Sequence, residues 1–153
     1  MLAFSRPIEP KLERVSVNAL IEECLSGFKF SPKIKIRKKL AAPNPQIHVD
    51  SPLFSLALKN LIQNAVDAVG EEGEIVISSE VASREITVSV SDSGLGISAD
   101  DLPRLFEPYS TTKPRGLGLG LAFVKKIAIA HQGRAESGNL SSGGACFKLV
   151  FPK

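Results

Sequence analysis

A glycine-bracketed loop, Asp92 to Leu121 (DSGLGISADDLPRLFEPYSTTKPRGLGLGL), places the strongest demand on how this chain can fold. An acid and two glycines, Gly94 and Gly96, open the loop, and Gly116, Gly118 and Gly120 close it. The residues between are polar and interrupted by prolines. Connections this long are uncommon in compact domains, and those that occur are chiefly lids and binding loops. The stretch predicts a nucleotide site under a mobile cover. The rest of the chain must then supply walls, a metal ligand and a base pocket.

The 153 residues suffice for one domain with a real core. A hydrophobic content of 43% and a charged content of 23% are ordinary for a soluble globular protein. The net charge of +3 gives no case for nucleic acid or a membrane surface. Cys24 and Cys146 fit no metal or redox spacing and read as reduced, mostly buried thiols, which suits the cytoplasm. No apolar run is long enough to span a bilayer, and Arg6, Glu9 and Lys11 make the N-terminus too polar for a secretion signal.

Residues 1–11, with Pro7 and Pro10, are expected to be a linker. From Leu12 the sequence LERVSV suits a short strand. Asn18 is placed to cap a helix bearing Leu20, Ile21, Cys24, Leu25 and Phe28. Lys33 to Leu40 alternates basic and apolar residues, as a half-buried strand does. Its Lys/Arg face reads as solvated or as a charged edge, because no aromatic residues interleave to bind a polyanion. Gln46–Val49 is a short strand, and Asp50 or Ser51 caps a helix with Pro52 in its first turn. That helix, to Val69, has the stripe Phe54, Leu58, Leu61, Ile62, Ala65, Val69 and ends at Gly70 and Gly73. Glu74–Val81 and Glu85–Ser91 form a hairpin whose second strand delivers Asp92. Leu119–His131 is helical, with Gly133 as its left-handed cap. Arg134–Ser137 and Ala145–Phe151 are a closing strand pair joined through Asn139 and Gly143-Gly144. Strands and helices mix without strict alternation, which predicts an α+β fold with helices layered on one face of a sheet.

Three groups of residues carry chemistry. Asn60, Asn64 and Asp67 share a helix face beside the apolar stripe, where asparagine is a poor choice unless its oxygen is used. Hard cations such as Mg²⁺ take oxygen ligands and keep waters and substrate phosphates. Capping a loop or bonding buried backbone would equally occupy these amides. Asp92, at a strand end before two glycines, is placed to accept from an exocyclic amine such as adenine carries, or to form an Asx-turn. Gly116, Gly118 and Gly120 lead into a helix start, a natural anion site, yet match neither the P-loop nor the dinucleotide fingerprint. The order of the three groups is more specific than any one alone.

In that order the chain resembles the ATP-binding catalytic domain of bacterial sensor histidine kinases. These are a branch of the superfamily that includes DNA gyrase, mismatch-repair and heat-shock chaperone ATPases. NLIQNAVDA (Asn60–Ala68) is similar to the family's N box, and DSGLGI (Asp92–Ile97) to its first glycine box. LFEPYSTTK (Leu105–Lys113) is similar to the F box, and RGLGLGLAFVKKIAIAHQG (Arg115–Gly133) to the second glycine box and its helix. LAFSRP resembles the end of the preceding dimerisation domain in nitrogen-regulation-type kinases, so residues 1–11 would be a stub and 12–153 the catalytic domain.

The resemblance implies a two-layer α/β sandwich, a mixed sheet with three helices on one face and a lid over ATP. It implies Mg²⁺ on Asn64, with Asn60 facing the phosphates and Lys113 reaching the terminal one; these three would be the catalytic residues. Asp92 would read the adenine amine, with Gly94, Gly96 and Ile97 shaping its pocket. Phe106 would anchor the lid, Thr111 and Thr112 would line it, and Gly116, Leu117, Gly118, Leu119, Gly120 and Leu121 would meet the phosphates. Lid residues Ser98–Arg115 are expected to order with ligand.

Two departures refine the expectation. Many such kinases carry a basic residue where this chain has Asp67, so a water-holding or supporting role is expected there. Water-using ATPases of the superfamily carry a glutamate base where this chain has Asn60, an amide that takes no proton at neutral pH. Transfer is therefore expected over hydrolysis. Its acceptor would be a histidine on a separate dimerisation domain, with a response regulator downstream, no nucleic acid, and a monomeric isolated domain in the cytoplasm. His48 and His131 lack the setting of a phosphoacceptor and read as structural. The rivals are an ATP hydrolase or serine kinase of the same superfamily, and a non-catalytic nucleotide-sensing module.

Overall fold

The structure, a computed structural model, describes residues 7–107 and 120–153. In chain order the elements are β1 (Glu13–Ser16), α1 (Val17–Ser26), β2 (Ile34–Lys39), β3 (Gln46–Val49), α2 (Ser51–Val69), β4 (Gly73–Val81) and β5 (Glu85–Asp92). A single 3₁₀ turn (Leu102–Arg104), α3 (Gly120–Ala130), β6 (Arg134–Asn139) and β7 (Ala145–Pro152) follow. Five strands form one sheet in the order β2-β4-β5-β7-β6, and β1 pairs with β3 in a separate ribbon. Only β2–β4 is parallel, so the sheet is mixed, as expected.

Period-two alternation decides which face is covered. Ile77, Val90 and Phe147 stand in one row across β4, β5 and β7; Ile86 and Phe151 stand in another. All five are buried. Over this face α2 packs on β4 and β5, α3 packs on β6 and β7, and α1 lies against α2. Phe54 of α2 meets Phe151 at 5.5 Å between ring centroids and anchors the helix to the sheet. The other face is polar and exposed: Arg37 pairs with Glu74, and Arg134 bridges Glu85 and Glu136. Hydrogen bonds from Arg134 hold the Glu85 carboxyl below its ordinary range. Such exposed pairs contribute little stability. Cys24 is buried, and desolvation pushes its thiol up, which keeps it protonated and unreactive. Cys146 is only half-buried, on the open face, because its odd-numbered neighbours in β7 take the core side.

Two helix ends differ from the sequence expectation. Ser16, not Asn18, caps α1: its Oγ accepts from Ala19 N at 3.1 Å. Asn18 lies inside the first turn, where Nδ2 donates to Ala41 O at 2.9 Å and Oδ1 accepts from Ser79 Oγ at 2.7 Å. A long-range network thus claims the side chain that a local rule assigns to the cap. After α3 the left-handed residue is Gln132, at φ 64°, not Gly133. Glycine is required at 133 for space: a Cβ there would lie 2.1 Å from Val150 O, where the chain turns into the sheet. At α2 the expectation holds, with Asp50 Oδ1 accepting from Leu53 N at 3.1 Å.

Gly133→Ala is expected to destabilise the domain by about 2–3 kcal/mol through backbone overpacking. Gln132→Gly, which relieves the left-handed conformation, stays within about 1 kcal/mol of the parent. Urea titrations distinguish the two. Equal losses at both positions would return the left-handed cap to Gly133.

Candidate nucleotide site

The site forms where α2, the end of β5 and the β6–β7 hairpin converge. Asp92 has the same parity as Ile86, Val88 and Val90, so its side chain enters the helix-covered side and is 4% exposed. A buried carboxylate needs donors. Oδ1 accepts from Gly94 N at 2.9 Å and from Ala145 N at 3.4 Å. Among the described residues no donor reaches Oδ2. A buried, oriented carboxylate with one oxygen uncommitted among the described residues is suited to accept an N–H from a ligand.

The two glycines beside Asp92 differ in role. At Gly94 a Cβ would lie 2.6 Å from Ala68 O, so the loop passes directly beneath the last turn of α2. Gly96 has φ +84°, a left-handed conformation that brings Ile97 back toward the sheet. Ile97 is half-buried and packs against the core.

Helix α2 carries a line of residues at i, i+4 spacing: Asn60, Asn64 and Ala68. Asn60 Nδ2 donates to Leu56 O at 3.0 Å, which turns Oδ1 toward the start of α3. A Cβ on Gly120 would lie 3.1 Å from that oxygen. One end of the line therefore meets Gly120 and the other meets Gly94, about 12 Å apart along the helix axis. Asn64 stands midway and is half-buried. Asp67 accepts from Gln63 Nε2 at 2.9 Å and is exposed.

Of the expected site residues, the structure brings together Asn60, Asn64, Asp92, Gly94, Gly96, Ile97 and Gly120. Leu121 is half-buried against the core beside Gly120. Phe106 packs its ring edge-on to Phe147, with centroids 6.5 Å apart, and fixes the described part of the lid to the sheet. Thr111, Thr112, Lys113, Gly116, Leu117, Gly118 and Leu119 lie outside the described residues, as do residues 1–6.

Several contributors had no local signal. Ala68 acts through its backbone oxygen, and Ala145 through its N–H. Ser93 N donates to Glu74 O at 3.0 Å while its Oγ accepts from Glu74 N at 2.8 Å, closing the end of β5 onto β4. Asn139, which reads as a turn residue, bonds both backbone groups of Ile97. Only long-range register identifies these four.

Among the described residues no group of three His, Cys, Asp or Glu side chains is placed to hold a metal ion. The oxygen donors that α2 offers beside the start of α3 are amides. That set suits Mg²⁺ held by one protein oxygen and completed by phosphates and waters. The described residues also contain no helix long and apolar enough to cross a membrane.

Comparison with known proteins agrees with this geometry. The family described as histidine kinase-, DNA gyrase B-, and HSP90-like ATPase matches residues 49–153. The sensor histidine kinase ZraS of Escherichia coli O157:H7 is 36% identical over 99% of the chain and 34% of its own length. The chain thus spans about a third of that relative. The nucleotide-free catalytic domain of histidine kinase ThkA superposes with a TM-score of 0.86 at 31% identity, covering 94% of this chain and 98% of that one. ThkA in complex with the response regulator protein TrrA superposes with a TM-score of 0.85 at 29% identity, covering 99% of this chain and 45% of that one.

Asp92→Ala leaves the N–H groups of Gly94 and Ala145 without their acceptor and is expected to cost about 2 kcal/mol in urea unfolding. Asp92→Asn retains an amide oxygen for both and stays within about 1 kcal/mol of the parent. Equal stability of all three proteins would show that the carboxylate does not organise the loop.

Proposed function

The chain belongs to the histidine kinase-, DNA gyrase B- and HSP90-like ATPase family, as an ATP-binding catalytic domain of the sensor histidine kinase kind. On that premise we propose that it transfers the γ-phosphoryl of Mg-ATP to a histidine on a separate dimerisation domain. The observation that carries the reading is the line along α2. It joins an adenine-side contact, Ala68 O against Gly94 beside Asp92, to a phosphate-side contact, Asn60 against Gly120. A nucleotide laid along that face has its base at Asp92 and its phosphates at the start of α3.

In this reading Asp92 Oδ2 accepts from the exocyclic amine of adenine, and the glycine loop lies close beneath the base. Gly120, at the first residue of α3, offers the positive end of the helix to the phosphates. Asn64 would hold Mg²⁺, which would neutralise charge on the phosphates. Asn60 does not act as a base: its Nδ2 is committed to Leu56 O, and an amide abstracts no proton from water. That favours transfer over hydrolysis.

Neither histidine of the chain suits the role of acceptor. His131 is buried, with Nε2 accepting from Asp50 N at 3.0 Å and Nδ1 bonded to Ile127 O at 2.8 Å. His48 lies in β3 opposite Arg14, outside the nucleotide cleft. The lid roles of Lys113, Thr111, Thr112 and the second glycine cluster follow from the family resemblance. The catalytic domain is taken to run from about Leu12 to Lys153. Ile8, packed on the core, and Lys11 N, donating to Asp50 Oδ2 at 2.9 Å, attach the preceding segment to it. By analogy with ThkA and TrrA, a response regulator receives the phosphoryl group from the parent protein, whose catalytic part is cytoplasmic.

The test combines the domain, ATP, Mg²⁺ and a separate histidine-bearing acceptor domain. The parent is expected to label the acceptor, and Asn64→Ala to lower the rate on the order of 100-fold. Labelling that survives the substitution would overturn the metal assignment. Phosphate release without labelling would favour a hydrolase.

A further inference from the structure

We propose that Asn139 is a positioning residue for the nucleotide site, holding Ile97 at the base of the lid through a two-way amide clasp. This rests on the nucleotide reading above. Asn139 is the last residue of β6, and its side chain crosses to the loop that follows Asp92. Oδ1 accepts from Ile97 N at 2.7 Å, and Nδ2 donates to Ile97 O at 2.8 Å. The side-chain amide thus acts as a single strand residue, presenting donor and acceptor together to a peptide that needs both. Among the described residues no backbone group pairs with Ile97.

Three further observations show that the clasp belongs to a built device. A Cβ on Gly96 would lie 2.9 Å from Asn139 Oδ1, so the glycine makes room for the amide. The hairpin that carries Asn139 is closed by Leu140 N to Gly144 O and Gly143 N to Leu140 O, each at 3.0 Å. From the far side of that turn, Ala145 N reaches Asp92 Oδ1, and Gly144 lies so close that a Cβ would meet Asp92 O at 1.9 Å. One hairpin therefore grips both ends of the segment Asp92–Ile97, the carboxylate at one end and the lid base at the other. With both ends fixed, the segment that faces adenine is ordered before ligand arrives, and binding does not bear the cost of ordering it.

Asn139→Leu keeps a side chain of the same branching and heavy-atom number but removes both bonds; Asn139→Asp keeps the acceptor for Ile97 N and sets a carboxylate against Ile97 O. Calorimetric titration with ATP, well below each protein's Tm, is expected to show Asn139→Leu weakened about tenfold and Asn139→Asp between it and the parent. Adenosine alone is expected to weaken by the same factor, because the clasp serves the base and not the phosphates. Hydrogen exchange at the Ile97 amide should quicken in Asn139→Leu and less in Asn139→Asp, while core amides such as Leu58 do not change. ATP affinity within twofold of the parent in both variants would overturn the proposal and leave the nucleotide site standing. A parent protein that binds no ATP would overturn the site reading and this proposal together.

Discussion

Burying a carboxylate at the end of a core strand costs several kcal/mol unless the fold supplies partners for it. Strand parity forces Asp92 into the core side, so the donors must come to it. One comes from the chain's own reversal at Gly94, and the other from the start of β7 at Ala145. Each requires a close approach that a side chain would block, beneath Ala68 in the first case and beside Gly144 in the second. The end of α2, the loop and the hairpin are therefore mutually fixed around one oxygen of one residue, and no described donor reaches the other.

The α2–α3 pair extends the same logic to the far end of the polar line on α2. The helices are joined near one end by Asn60 against Gly120 and near the other by His131, which links the last turn of α3 to the N-cap of α2 through Asp50 N. The face of α2 that bears Asn60 and Asn64 is thereby held at a fixed distance from the start of α3. Its other face is anchored by Phe54 on Phe151. A site for a charged, extended ligand needs this rigidity, because electrostatic stabilisation depends on donors that do not reorganise when the ligand arrives.

Much of this architecture is legible in the amino-acid sequence. The stripe Phe54 to Val69 marks the central helix and its polar face, and Asp50 or Ser51 its start, because helical periodicity and capping are local properties. Alternation in Glu85–Ser91 places Asp92 on a strand end. The order of the boxes then leads to a nucleotide and to the family. The two misplaced helix ends have one cause. Asn18 and Gly133 both satisfy local rules, but long-range contacts with Ser79 and with Val150 use them differently.

By itself, the sequence determined most of the elements, since periodicity and capping depend on side-chain type at short spacing, and the order of its motifs carried the resemblance to the family. Only the tertiary structure decided which oxygen of Asp92 is committed, that Ala68 contributes a carbonyl, and that Asn139 clasps Ile97 across an interval of 42 residues. Those contacts are set by strand register and by the packing of α2 on the sheet. No local pattern encodes them, because the partner of each group lies in another element.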